Sequence, residues 1–559
     1  MCGIAGFLNF SGTLQDEKFY DLGMRMAERL SHRGPDAKGI CVERHAVLAV
    51  AELKFADTKD SIQPMQRERY LNRYTICYNG EIYNTKEIKR ELSFEGVCFE
   101  TDSDAEVLLM AYITYGKSFV YLLNGIFAFV IWDEEKQELF MCRDRFGVKP
   151  LYYTKINDFF VFASEPKALF EFPGIFPVIN EEGLCEIFGS ATPSGEIFDN
   201  IFELKPATYK TISRFSETEK VYYKLHASIH TDNLNDTVDT IRYLLKDSIS
   251  RQSIADVPAC TFLSDNISSN YITAVAAKNK NIPLTAYSLN NYNEPANEFK
   301  VNHIPIKLSP EQLISDLYMS AEYMDFPDFS YLSPYLFGFS REVKKNHCVA
   351  LSDTGANEIF GVNSLSALNM AQCPNPLLDI LSCDLKNLPI DEYSKSKYEN
   401  FISDIPEFPY RSTEDLLWRE AEYLSIYRTA GTKLSILDRM SMASSLEVRV
   451  PYLDHRLVSY MWNIPKEMKI KNGQSVLLYE IAHTLLPETI INQKYEHKFM
   501  PDSAYENLIN LKFRDVISNH SSPILQLINK DKITSDTKTL SYIIKLNHWL
   551  LHNNISIRF

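Results

Sequence analysis

The chain has 559 residues, 45% of them hydrophobic and 23% charged, which is ordinary globular composition and enough for two or more cored domains. Acidic residues outnumber basic ones by 73 to 58, and a net charge of −15 with no Lys/Arg block argues against a nucleic-acid or membrane-surface partner. The ten cysteines include no CxxC pair, no apolar run approaches the ~20 residues of a membrane span, and "MCGIAGFLNF" has neither the basic nor the apolar region of a signal peptide, so a soluble protein of the reducing cytosol is expected.

Taken in chain order, residues 1 to 213 carry short apolar runs separated by turn residues: "CGIAGFL", "HAVLAVAEL", "YTICYNGEIYN", "GIFAFVIWD", "ELFMCRD", "DFFVFASE". These predict a strand-heavy domain, with helices near "EKFYDLGMRMAERL" and "DAEVLLMAYITYG". Residues 214–235 are polar and mixed and read as a linker. From 236 to 559, helical periodicity dominates, in "TVDTIRYLLKDSISRQS", "PYLFGFSREVKKN" and "TLSYIIKLNHWLLHN". Buried strands such as "PLTAYSL" and "HCVALSD" lie between the helices. Strand alternating with helix predicts a parallel, doubly wound sheet with its ligands at the carboxyl ends of the strands.

Cys2 follows the initiator methionine. Methionine before a small residue is normally removed, which would make Cys2 the first residue and its own α-amine the base for its thiol. Downstream come, in order, "SHRGPD" (Ser31–Asp36), "YNGEIYN" (Tyr78–Asn84), "SDAE" (Ser103–Glu106), "RDRFGVKPLYY", "FASEPKAL" and "SLEVRVPYLD" (Ser445–Asp454). In these motifs the first half resembles the glutaminase domain of class II (Ntn-type) glutamine amidotransferases, and the whole resembles the asparagine synthetase family. The resemblance implies a four-layer αββα glutaminase domain followed by a PP-loop α/β synthetase domain. The family transfers the amide of glutamine to a carboxylate, driven by ATP and Mg²⁺. By position, Cys2 would be the nucleophile, and Asn79 and Gly80 the oxyanion hole. Asp104 would hold the donor's α-ammonium, with Glu52, Leu53 and Glu81 completing the amide-donor site.

The chain departs from the family pattern in two places. The family's arginine that pairs with the glutamine carboxylate is replaced by Glu52, which repels the same group; Lys54, two residues on, shares its face of a regular strand. In the second half the Ser-Gly-Gly-Leu-Asp-Ser-Ser phosphate loop is Leu263-Ser264-Asp265-Asn266-Ile267-Ser268-Ser269-Asn270, where Leu263 precedes the motif. Ser-Gly-Glu-Gly-Ala-Asp-Glu becomes Ser352-Asp353-Thr354-Gly355-Ala356-Asn357-Glu358, and a phosphate-facing lysine falls at Ser475. Lys494, Lys498 and Phe499 keep part of a basic patch. Phosphoryl chemistry depends on charge neutralisation, so these changes predict an eroded ATP and Mg²⁺ site.

Three readings stay open: a divergent amidotransferase acting on glutamine and a carboxylate acceptor; a Cys2-dependent enzyme acting on a cationic amide paired with Glu52; and a degenerate scaffold or regulator, as a homodimer or beside an active relative. The twelve histidines read as dispersed, and no metal centre is expected from them.

Overall fold

The structure, a computed structural model, describes residues 2–54, 62–69, 71–189, 196–255, 257–278, 283–289, 299, 301–328, 332–362, 364, 380–382, 385, 388–408, 412–492, 503–533 and 536–558. It divides into two compact units, Met1–Phe176 with Asn200–Lys224, and Pro177–Asp199 with Leu225–Phe559.

The first unit holds two antiparallel six-stranded sheets. Its elements begin with β1 (Cys2–Asn9), α1 (Glu17–Glu28), β2 (Ala37–Val42), β3 (Ala46–Glu52), β4 (Met65–Arg69) and β5 (Asn72–Ile82). Then come α2 (Thr85–Phe94), α3 (Asp104–Tyr115), β6 (Gly125–Asp133), β7 (Glu138–Arg143), β8 (Tyr152–Ile156), β9 (Phe159–Ala163), and, after an excursion into the second unit, three further short strands. β6 shows why "GIFAFVIWD" is apolar without a break. Phe127, Phe129 and Ile131 pack with Ile88, Leu92, Leu108 and Tyr112 of α2 and α3. Ala128, Val130 and Trp132, on the opposite face, pack with Ile4, Leu48 and Val50 of the other sheet. A strand covered on both faces has no polar side to alternate. α1 closes the outer face of the first sheet so tightly that a Cβ on Gly23 would stand 2.7 Å from Ile40 and 2.8 Å from Val47. The layers are therefore αββα.

Two expectations about boundaries meet a different arrangement. Glu217–Val221, within the expected linker, is a strand paired antiparallel with Thr208–Ser213. Residues 177–199, expected in the first domain, pack with the second unit. Val178–Ile179 runs parallel to Ser556–Ile557, and buried Glu186 of the helix Glu181–Gly189 is bonded by Tyr393 and Lys397. A buried carboxylate follows its partners, which lie far along the chain.

The second unit has a five-stranded parallel sheet, in spatial order Asn302–Ile306, Thr285–Leu289, Ala259–Phe262, Val349–Leu351, Glu447–Arg449. Chain order runs outward in one direction from Ala259–Phe262 and then restarts on its other side at Val349–Leu351. That reversal opens a crevice beyond the carboxyl ends of these two strands. The helix Ile267–Lys278 follows the first strand, and Pro310–Tyr323 and Leu332–Lys344 precede the second. The eight described cysteines are all free, and no described helix is long and apolar enough to cross a membrane.

Candidate active sites

Cys2 begins β1 and lies opposite Glu52 of β3 in the antiparallel register. Three contacts hold it. Its backbone N–H donates to Asn79 Oδ1 at 3.1 Å, its carbonyl accepts from Arg33 Nε at 3.4 Å, and its Sγ lies 3.8 Å from Gln63 Nε2. The Cys2 N–H needs an acceptor, which fixes the orientation of the Asn79 amide. Asn79 Nδ2 is then left buried with no partner. An orphaned buried donor costs about 1–3 kcal/mol, and such a group calls for a functional reason. Here it is a donor beside a thiol, the arrangement that receives developing negative charge on a carbonyl oxygen.

Gly80 has φ +154°, and a Cβ there would lie 2.2 Å from the Ile126 carbonyl oxygen, so only glycine fits next to Asn79. Burial pushes the Cys2 thiol pKa up; the positive chain amino end pulls it down and Glu52 pushes it up again. A neighbouring base is therefore needed to form the thiolate.

Glu52 is buried, and burial raises its pKa. Its Oε1 accepts from the Gln63 N–H at 2.8 Å, and its Oε2 lies 3.8 Å from Lys54 Nζ. Leu53 is buried beside it and Glu81 is half-buried. Asp104 opens α3, where Oδ2 accepts from the Ile82 N–H at 3.0 Å and Oδ1 from Thr85 Oγ1 at 2.7 Å.

Two groups complete the site beyond the expected residues. Gln63 ties the site together: besides meeting Cys2 and Glu52, its Oε1 accepts from the Tyr78 N–H at 2.7 Å. The "SHRGPD" and "FASEPKAL" motifs meet in a buried cluster. Glu165 receives Arg33 Nη1 at 2.7 Å, His32 Nε2 at 3.0 Å and Lys167 Nζ at 2.9 Å. Burial alone would raise the Glu165 pKa, but Lys167, His32 and Arg33 hold it well below the usual carboxylate range. Sequence order carried no signal for this convergence, because the two motifs stand more than a hundred residues apart.

In the second unit, the crevice at the reversal of strand order holds a cavity of about 310 Å³. Its walls are mostly apolar, including Phe262, Leu263, Leu289, Tyr335, Phe339 and Ile436. Ser264, Asn266, Ser352, Asp353, Thr354 and Lys433 supply the polar lining. The predicted residues of the two loops do come together. Ser268 Oγ donates to Asp353 Oδ2 at 2.6 Å, and Ser352 and Thr354 hydroxyls meet at 2.9 Å. Gly355, at φ +96°, turns the second loop into a short helix carrying Asn357. Ser475 is not brought here. It caps the helix Val476–Ala482, its Oγ accepting from the Leu478 N–H at 3.2 Å, and it does not line the cavity. A serine before an apolar helical run is an N-cap by preference. Lys494, Lys498 and Phe499 lie outside the described residues.

Residues 1–223 match the family described as "Glutamine amidotransferase domain", and residues 240–540 match the family described as "Asparagine synthase". The chain belongs to the asparagine synthase family. It is 37% identical to "Asparagine synthetase [glutamine-hydrolyzing] 3" of Bacillus subtilis, over 88% of this chain and 86% of that protein. It is 29% identical to "Asparagine synthetase [glutamine-hydrolyzing] 1" of the same organism, over 97% and 96%. Among solved structures, a glutamine phosphoribosylpyrophosphate amidotransferase from B. subtilis is similar at 19% identity and TM-score 0.31, covering 51% of this chain and 65% of that one. The fold is the two-domain α/β architecture of the family, and the chain is asparagine synthetase-like.

The asparagine synthase family is ATP-dependent. The residues at this chain's crevice do not fit Mg²⁺ and a row of phosphates. An anion cradle works by aiming free backbone N–H groups at the ligand. Here the Ser264 N–H donates to Ser269 Oγ at 3.1 Å and the Asn266 N–H to Ser264 Oγ at 3.3 Å. The loop's carbonyls are occupied as well, since Asn270 Nδ2 donates to those of Ser264 and Asn266 at 2.8 and 2.9 Å. Asp353, on the cavity wall, sets a carboxyl group where the family pattern has glycine. Lys433, the cation on the cavity wall, is paired with Glu358. Among the described residues, no three histidine, cysteine or carboxylate ligands converge at this crevice.

Proposed function

We propose that the chain is a Cys2-dependent amidotransferase of asparagine synthetase type, taking its nitrogen from glutamine and serving a carboxylate acceptor. Cys2, freed at its amino end by removal of Met1, attacks the donor amide with its own α-amine as base. Asn79 Nδ2 and the Gly80 N–H receive the oxyanion. Asp104 holds the donor's α-ammonium, with Glu52, Leu53 and Glu81 around the rest of the donor. The observation that carries this reading is the orphaned Asn79 Nδ2 beside the anchored Cys2.

The second unit departs from the ATP and Mg²⁺ use of the family. Its crevice binds no Mg-ATP in the family's manner, and the acceptor step either draws on other contacts or is absent. The observation behind this is the mutual satisfaction of Ser264, Ser268, Ser269 and Asp353.

The decisive experiment is glutamate release from glutamine by protein with an untagged amino terminus. Cys2→Ala should abolish it, a loss on the order of 10⁴-fold or more. If Met1 is confirmed removed by mass and no Cys2-dependent glutamate forms, the amidotransferase reading fails. Release of pyrophosphate on adding Mg-ATP with a carboxylate acceptor would overturn the reading of the second unit.

A further inference from the structure

The expectation that the histidines are dispersed needs correction, because two pairs stand four residues apart: His226 with His230, and His548 with His552. The first pair lies outside any helix, with His230 bonded to Thr237 Oγ1. The second lies on the helix Thr537–His552, where this spacing stacks both rings on one face. Their ring centroids are 5.9 Å apart.

Glu322, in the last turn of the neighbouring helix Pro310–Tyr323, reaches both rings. Its Oε1 lies 2.9 Å from His548 Nε2 and 3.6 Å from His552 Nδ1. One ligand atom from each of the three residues falls within 4.8 Å of the other two.

We propose that Glu322, His548 and His552 form a binding site for a divalent transition metal, with Zn²⁺ the best match. Two imidazoles at i,i+4 with one carboxylate are a set that Zn²⁺ favours. Around a tetrahedral ion with bonds of ~2.0–2.1 Å, donor atoms stand about 3.3 Å apart. The two distances from Glu322 Oε1 fall on either side of that value, so small side-chain adjustments admit the ion. The side chains of Glu322, His548 and His552 are 23%, 27% and 38% exposed, which gives an ion a way in and leaves the fourth position to water. The Tyr318 ring, one turn before Glu322, stands edge-on to His548 at 4.9 Å and restrains its orientation. An occupied site would cross-link the ends of two helices of the second unit that are distant in sequence, and so raise its stability with metal concentration.

A plain ion pair between Glu322 and the histidines is the competing account, and stoichiometry separates the two, because an ion pair alone takes up no Zn²⁺.

The test uses the full chain, purified without a histidine tag and titrated with Zn²⁺ by calorimetry, with Co²⁺ as a spectroscopic probe. One Zn²⁺ per chain is expected. Affinity should fall at least ~100-fold in the His548→Gln, His552→Gln double variant and also fall in Glu322→Gln. Zn²⁺ should raise the thermal midpoint of the parent but not of the double variant. The Co²⁺ spectrum should show tetrahedral bands without thiolate charge transfer. Absence of binding, equal binding by parent and variants, or a thiolate signature from a cysteine site would each overturn the proposal. Glu322→Gln is nearly isosteric at a partly exposed position, so a failure of the double variant to fold leaves a usable comparison.

Discussion

The donor site of the first unit and the crevice of the second differ in how their polar groups are used. Around Cys2, polar atoms are fixed but not all satisfied: Asn79 spends its oxygen on the Cys2 N–H and keeps a buried N–H₂ without a partner. In the crevice, hydroxyls, amides and loop N–H groups have turned on one another, and Ser268 binds Asp353 directly. A site prepared for a charged species must hold donors in reserve, at a cost in stability. A site relieved of that task can recover the cost by internal hydrogen bonding. The two sites thus differ in whether their polar groups are held in reserve or spent on one another.

The largest test of that contrast after loss of Cys2 itself is Asn79→Ala. It removes the reserved donor and the acceptor of the Cys2 N–H together. Glutaminase kcat should fall about 10²–10³-fold, the usual loss for one oxyanion donor, while thermal stability changes little because an orphaned group leaves with it. A kcat within threefold of the parent would mean that the orphaned amide is a packing accident, and the comparison would lose its first term.

Glu52→Gln should have a smaller effect. The substitution keeps the acceptor for the Gln63 N–H and removes the charge. Two like charges about 4 Å apart at an effective dielectric of 20 repel by roughly 4 kcal/mol. Lys54 at 3.8 Å and the raised Glu52 pKa both soften that figure, so the expected result is a KM for glutamine about tenfold lower, with kcat little changed. A higher KM would show that the Glu52–Lys54 pair assists glutamine binding, and a preference for a cationic amide in the parent would turn the donor reading toward that substrate.

The sequence made the family and its motif order legible, and the candidate residues Cys2, Asn79, Gly80 and Asp104 sit inside its short contiguous motifs. It made the layers legible in part: α3 begins at its Ser103 cap, and the parallel sheet follows from strand–helix alternation. It did not reveal that 177–199 belongs with the second unit, since the partners of Glu186 lie some two hundred residues later. Alignment by position singled out Ser475 but could not foresee its helix-cap bond to the Leu478 N–H. The His548 and His552 pair stands in the sequence at i,i+4 and was overlooked; its carboxylate could not be read there, because Glu322 lies on a different helix, 226 residues away from His548. Contacts between distant segments leave no local pattern, and the pairing of Gln63 with Cys2, Glu52 and Tyr78 is another of that kind.

The smallest predicted effect concerns Asp353 and bears on the second term of the comparison. Burial raises its pKa most strongly; the Ser268 hydroxyl opposes this, Glu358 adds to it, and Lys433 offsets part. A carboxyl whose folded pKa lies above its unfolded value binds its proton more tightly in the folded state. Its contribution to stability is therefore complete below the ordinary carboxylate pKa and is lost as pH rises through the folded value. Asp353→Asn keeps an acceptor for Ser268 and cannot ionise, so it should stabilise the second unit at neutral pH by about 1 kcal/mol, the usual size of one relieved site. The advantage should vanish as pH falls below the ordinary carboxylate range. If Asp353→Asn instead destabilises the protein at neutral pH, or if Mg²⁺ stabilises the parent and not the variant, then the carboxylate is wanted in its charged form. The crevice would then be a working cation site rather than one that has closed on itself.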